Sequence, residues 1–138
     1  MAETLRFAIV HQYDTRQSGI TVDVVLQAGE RKVQVVTKLD TGASYCIFGR
    51  TYGELLGLDI ESGIAERIGT PMGSFDAFGH VVTVSALGIE MLTTVYFAAD
   101  ESFTRNVPGR QGWLDRVRLG LIDYEGRLFL SEYNDPEI

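Results

Sequence analysis

The sequence predicts an all-β fold with one or two short helices. Apolar residues recur at every second position over long stretches, and 15 glycines are spread among the reversals between those stretches. Helical spacing is confined to two short segments. At 138 residues the chain falls in the range of one domain, and residues 1–138 are read as such. No internal repeat, low-complexity tract or Pro/Gly linker divides it.

The elements follow in order. Ile20, Val22, Val24 and Leu26 alternate with Thr21, Asp23, Val25 and Gln27. A turn at Ala28-Gly29-Glu30 leads into Val33, Val35, Thr37 and Leu39, which alternate with Gln34, Val36 and Lys38. That is a hairpin with one face toward a core, and it delivers the chain into Asp40. A short helix is predicted from about residue 50 to residue 56, because Tyr52, Leu55 and Leu56 share a face. Gly57 stands where a left-handed C-terminal cap belongs. The polar, glycine-containing stretch 69–75 is predicted as a projecting hairpin. Strands follow at 80–87 and 90–98, joined at Leu87-Gly88-Ile89. Trp113, Leu114 and Val117 fit one or two turns of helix. Strands 118–122 and 127–131 then form a last hairpin around Asp123-Tyr124-Glu125-Gly126.

Composition narrows the function. With 45% hydrophobic and 22% charged residues the chain reads as ordinary globular protein. A net charge of −7 with no run of Lys and Arg argues against a nucleic-acid partner. One cysteine, Cys46, excludes an intrachain disulfide and any CxxC metal site. It reads as a small buried apolar residue rather than a nucleophile. His11 and His80 lack metal-ligand spacing and read as surface or loop residues, so neither a metal nor a cofactor is expected. No segment approaches the roughly 20 apolar residues of a membrane span, and the amino terminus has no basic leader before an apolar stretch. The expectation is a soluble cytoplasmic protein without a membrane partner.

The informative segment is Leu39-Asp40-Thr41-Gly42-Ala43-Ser44. An apolar strand ends and presents a carboxylate. A small hydroxyl residue follows, and then a glycine that lets the backbone turn and approach a substrate or another chain closely. Ala43 keeps the loop slim. Asp-Thr-Gly-Ala-Ser after such a strand resembles the active-site loop of aspartic peptidases, and the chain length matches the single-domain, retropepsin-like branch. A given five-letter string arises by chance in a chain of this length on the order of once in thousands. Downstream, Val107-Pro108-Gly109-Arg110 followed by Trp113-Leu114-Asp115-Arg116 is similar to that family's apolar-apolar-Gly-Arg segment and terminal helix. The order of elements matches from about Ile20 to Leu130. The chain departs from the family pattern at Pro108, where an aliphatic residue is usual, and at Gln111, where Asp or Asn is common.

The resemblance implies a closed acid-protease-type β-barrel with a flap hairpin, forming half of a two-fold symmetric homodimer. It implies an aspartic endopeptidase acting on peptide or protein substrates, with Asp40 as the catalytic carboxylate. Thr41 would lock the two loops across the axis, Gly42 would offer backbone to substrate, and Ser44 would contact the substrate backbone beside Ala43. Met72, Gly73 and Ser74 would form the flap tip. Gly109 and Arg110 would support the loop, Arg110 by hydrogen bonds. Such enzymes need two carboxylates that share a proton. This chain has one Asp-Thr-Gly, since Asp14-Thr15-Arg16 lacks the glycine, so the second would come from a second copy. Tyr45 and Phe48 either line the substrate pocket or pack beneath the loop. Two other readings stand beside this one. The first is a non-catalytic dimerisation or peptide-binding module with the same fold, and the second is an unrelated monomeric β-barrel carrier. The termini, 5–10 and 128–130, have the apolar content for a dimer sheet.

Overall fold

The computed structural model describes residues 1–136. Nine strands and one short α-helix follow one another as β1 (Ile9–Gln12), β2 (Thr21–Ala28), β3 (Arg31–Lys38), β4 (Ile47–Phe48), α1 (Arg50–Leu55), β5 (Ile64–Thr70), β6 (Gly73–Ala86), β7 (Ile89–Ala98), β8 (Val117–Ile122) and β9 (Arg127–Glu132). Three-residue 3₁₀ turns occur at Ile60–Ser62, Leu114–Arg116 and Asp123–Glu125.

The hairpin expected first forms as read. β2 and β3 pair antiparallel with Val24 opposite Val35, and Val22, Val24, Leu26 and Val35 are all buried. Each such side chain contributes about 1.5–3 kcal/mol when fully removed from water. Thr37 occupies an inward position of β3 because its hydroxyl donates to the Val22 carbonyl at 2.7 Å. That satisfies a polar group which would otherwise cost about 1–3 kcal/mol to bury. Helix α1 ends one residue early, and Gly57 caps it at φ +77° with its N–H on the Glu54 carbonyl.

The closed barrel does not form. The strands make two separate open sheets, β3-β2-β6-β7-β4 with β5 attached to β6, and β1-β9-β8. Closure would need the end strands β3 and β4 to meet, but β4 is only two residues long and is spent pairing parallel with β7. The 14 residues of β6 serve three neighbours in turn, β5 through its first half and β7 and β2 through its second. The hairpin expected at 69–75 forms, but its arms run further than read: β6 continues from Gly73 into the strand expected from residue 80, and β5 reaches back to Ile64. Ile64-Ala65-Glu66-Arg67 has too little apolar alternation to signal a strand.

The expected terminal helix is also absent as an α-helix. Gly112 adopts φ +100° and Trp113 φ −138°, which leaves room for a single 3₁₀ turn before Val117 enters β8. Trp113 is nevertheless a core residue, 1% exposed. At the carboxyl end, β9 lies between β1 and β8, hydrogen-bonded on both edges, and Leu128 and Leu130 are fully buried. Residues 128–130 therefore have no free edge to offer a partner, and on the outer face Phe129 is half-buried. The exposed apolar residues of that sheet are Val10 on β1 and Leu121 and Ile122 on β8. Among the described residues no helix is long and apolar enough to cross a membrane.

Two apolar clusters fill the molecule. The larger joins both sheets around Trp113, Phe48 and Phe97. The smaller consists of Ile47, Ile68, Ala77 and Val107, with Tyr45, Phe75, Tyr96 and Phe103 packed against it. It lies beneath the Asp40 loop.

Candidate active site

Asp40 follows β3 and is held by an interlock of two chain segments. On the incoming side, the Lys38 N–H donates to the Asn106 carbonyl at 3.0 Å and the Leu39 N–H to the Ile20 carbonyl at 2.9 Å. Beyond the loop, Ile47 and Val107 exchange both backbone hydrogen bonds, at 2.9 and 2.8 Å. Between them the Arg110 N–H reaches the Ala43 carbonyl and the Gln111 N–H the Ser44 carbonyl, each at 2.9 Å. The loop is therefore fixed by backbone bonds at both ends and in the middle.

The two departures from the family pattern fit this frame. Residue 108 contributes its carbonyl, which accepts the Asp40 N–H at 3.4 Å, so a proline there sacrifices no donor. Gln111 acts through its main chain, its side chain being exposed.

Gly109 is indispensable to the interlock. A Cβ at this position would lie 2.1 Å from the Tyr45 carbonyl oxygen and 2.9 Å from that of Ala43. Gly42 is less constrained. Its φ is not positive, and a Cβ there would meet only Asp40 Oδ1, at 3.3 Å.

The carboxylate itself is about a third exposed. Its Oδ1 accepts the Gly42 N–H at 2.9 Å, and its Oδ2 accepts the Arg105 guanidinium at 2.8 Å. Arg105 is 62% exposed, so this ion pair contributes at most about 1 kcal/mol and is readily exchanged. Asp40 lies at one side of a cleft of about 180 Å³. Its walls are Ile47, Ile68, Phe75, Phe103 and Val107, with Phe75 and Phe103 stacked at 4.5 Å. Asp40 and Arg105 are the only charged side chains among the lining residues.

The remaining candidates separate clearly. Ala43 and Ser44 line the cleft, whereas Thr41 is exposed and its hydroxyl bonds no group among the described residues. Tyr45 lines the cleft against Tyr96, and Phe48 is buried in the core, which resolves their alternatives. The hairpin of β5 and β6 projects beside the cleft and turns at Pro71-Met72, with Thr70 opposite Gly73. Gly69, Thr70 and Pro71 line the cleft, but Met72, Gly73 and Ser74 do not, and Met72 is almost fully exposed. Ser74 faces the outer side, where it accepts a hydrogen bond from Arg67. Arg110 does not support the loop through its side chain. Its guanidinium is exposed and bonds no group among the described residues, so only its N–H takes part. Cys46 is buried, with its sulfur accepting the Gly109 N–H, and burial pushes its thiol up to about 11, which leaves it protonated and inert at neutral pH.

Arg105, Phe75 and Phe103 are the residues the sequence reading missed. Phe75 had a signal, since it ends the stretch predicted as a projecting hairpin. Arg105 and Phe103 lie in an irregular connection between β7 and the Gly-Arg segment, where periodicity says nothing. Among the described residues no group of His, Cys, Asp and Glu side chains could hold a metal ion.

No family profile matches the chain, and no curated protein matches it. Among solved structures, it is similar to the EIAV protease complexed with the inhibitor HBY-793, at a TM-score of 0.54 and 21% identity, over 68% of this chain and 84% of that one. The interlocked Asp-Thr-Gly loop and this likeness together give the chain a retroviral-protease-like fold.

Proposed function

We propose that the chain is half of a homodimeric aspartic endopeptidase. The observation that carries this reading is the placement of Asp40. A carboxylate, fixed by its own loop, lines an apolar cleft beside a projecting hairpin, and among the described residues no second carboxylate lines that cleft. General acid–base hydrolysis needs a pair, with one carboxylate activating water and the other, protonated, polarising the scissile carbonyl. A two-fold axis beside Asp40 supplies the second copy. Thr41, exposed and without a partner among the described residues, is available to bond across that axis. An extended peptide would lie between the loop and the β5–β6 hairpin, with alternate side chains entering pockets. The test is hydrolysis of an unfolded protein by the purified chain at mildly acid pH, with inhibition by pepstatin. A chain that binds peptides without cleaving them would favour the non-catalytic module instead.

The hairpin acts in this reading as a flap that excludes water. Gly73 has φ +132°, a conformation that side-chain-bearing residues rarely adopt, and empty space surrounds its Cα. Gly73→Val is thus expected to strain the turn without a clash in the core. Turnover should fall by about tenfold, and a strain on the order of 1–2 kcal/mol should lower the melting temperature by several degrees while the chain stays folded. Unchanged turnover would show that the hairpin tip takes no part in catalysis.

A further inference from the structure

We propose that Arg105 selects substrates that carry an acidic side chain close to the scissile bond. The inference rests on the peptidase reading and deepens it. Arg105 NH2 holds Asp40 Oδ2 at 2.8 Å, while Oδ1 is engaged by the Gly42 N–H. Oδ2 is therefore the oxygen that must be freed before Asp40 can share a proton with a second carboxylate and bind water. The guanidinium then has to turn elsewhere, while the backbone that carries it stays at the rim of the cleft. Its neighbour Asn106 is anchored twice, by its carbonyl to Lys38 and by its side-chain oxygen to the Gly49 N–H at 2.9 Å.

The charge balance of the assembled site says what it turns to. Two Asp40 carboxylates sharing one proton carry a single negative charge, and two Arg105 side chains carry two positive ones. No other charged side chain among the described residues lines the cleft, so one positive charge is left over. A single carboxylate on the substrate cancels it, and the planar guanidinium fork suits a carboxylate geometrically. The apolar walls formed by Ile47, Ile68, Phe75, Phe103 and Val107 take a bulky apolar side chain in the same cleft. The substrate class is then an extended segment with a large apolar residue and an Asp or Glu within a few positions of it.

The test uses short fluorogenic peptides with a common apolar scissile pair and Glu, Gln or Lys at each flanking position in turn. The best Glu peptide should show kcat/KM roughly fivefold to tenfold above its Gln twin, and the ratio should shrink as salt is raised. Arg105→Met should bring that ratio close to one, and Arg105→Glu should turn the preference toward the Lys peptide. A Glu/Gln ratio near one at every position of the parent, or a preference that survives Arg105→Met, would overturn the proposal. Absence of any cleavage would count against the peptidase reading. The role of Arg105 is then decided by peptide binding to the Asp40→Asn chain, measured by fluorescence anisotropy. Tighter binding of the Glu peptide that vanishes on adding Arg105→Met supports it, and equal binding of the Glu and Gln peptides refutes it.

Discussion

Asp40→Asn is expected to lower peptide hydrolysis by about a thousandfold or more, the scale on which general acid–base groups act. The amide is nearly isosteric and keeps the geometry around it, since its oxygen can still accept the Gly42 N–H. It cannot take a proton from water, so turnover is lost while the fold remains. The melting temperature should move by a few degrees at most, because the replaced side chain is partly exposed and its ion pair with Arg105 is weak. Dimerisation should persist, because the uncharged amides leave no negative charge to be shared across the axis. Asp40→Asn that cleaves at the parent rate would remove Asp40 from the chemistry.

The second large effect concerns stability. Gly109→Ala would place a methyl group 2.1 Å from the Tyr45 carbonyl oxygen and 2.7 Å from its carbon. Both are main-chain atoms inside the interlock and cannot rotate away. Overpacking against rigid backbone costs ~3 kcal/mol or more, a large share of the 5–15 kcal/mol that holds a typical domain together. Chemical denaturation should show the loss as a lower midpoint. Any folded fraction should also be impaired in turnover, because the displaced carbonyls of Tyr45 and Ala43 belong to the segment that leads out of the Asp40 loop. A midpoint unchanged within about 0.5 kcal/mol would mean that the two segments are not clamped together as described.

Much of this was readable in the sequence because the relevant signals are local. Period-two alternation on β2 and β3 requires only that one face be buried, and Thr37 alone among the inward residues is polar, for a reason that one hydrogen bond explains. The Asp-Thr-Gly loop and Gly109 could be found from residue identity. What escaped depends on long-range geometry. β5 is a strand because β6 offers it an edge, not because its own sequence alternates. Closure into a barrel would depend on where β3 and β4 end up relative to each other, which no local pattern encodes. Arg110 was assigned a supporting role from its place in a motif, yet its exposed guanidinium bonds no group among the described residues. Arg105, 65 positions from Asp40 in sequence, meets it only because Asn106 ties the two segments together.

The central claim, that each chain brings one carboxylate to a shared site, is tested most directly by mixing subunits. Parent chains are combined with an equal amount of Asp40→Asn chains, and native mass spectrometry verifies that subunits exchange. Random pairing leaves about one quarter of the dimers with two carboxylates, so activity should fall to about half that of the same amount of parent alone. A larger excess of the variant should suppress it further. Complete exchange with undiminished parent activity would show that each chain works by itself, and the shared-carboxylate account would be wrong.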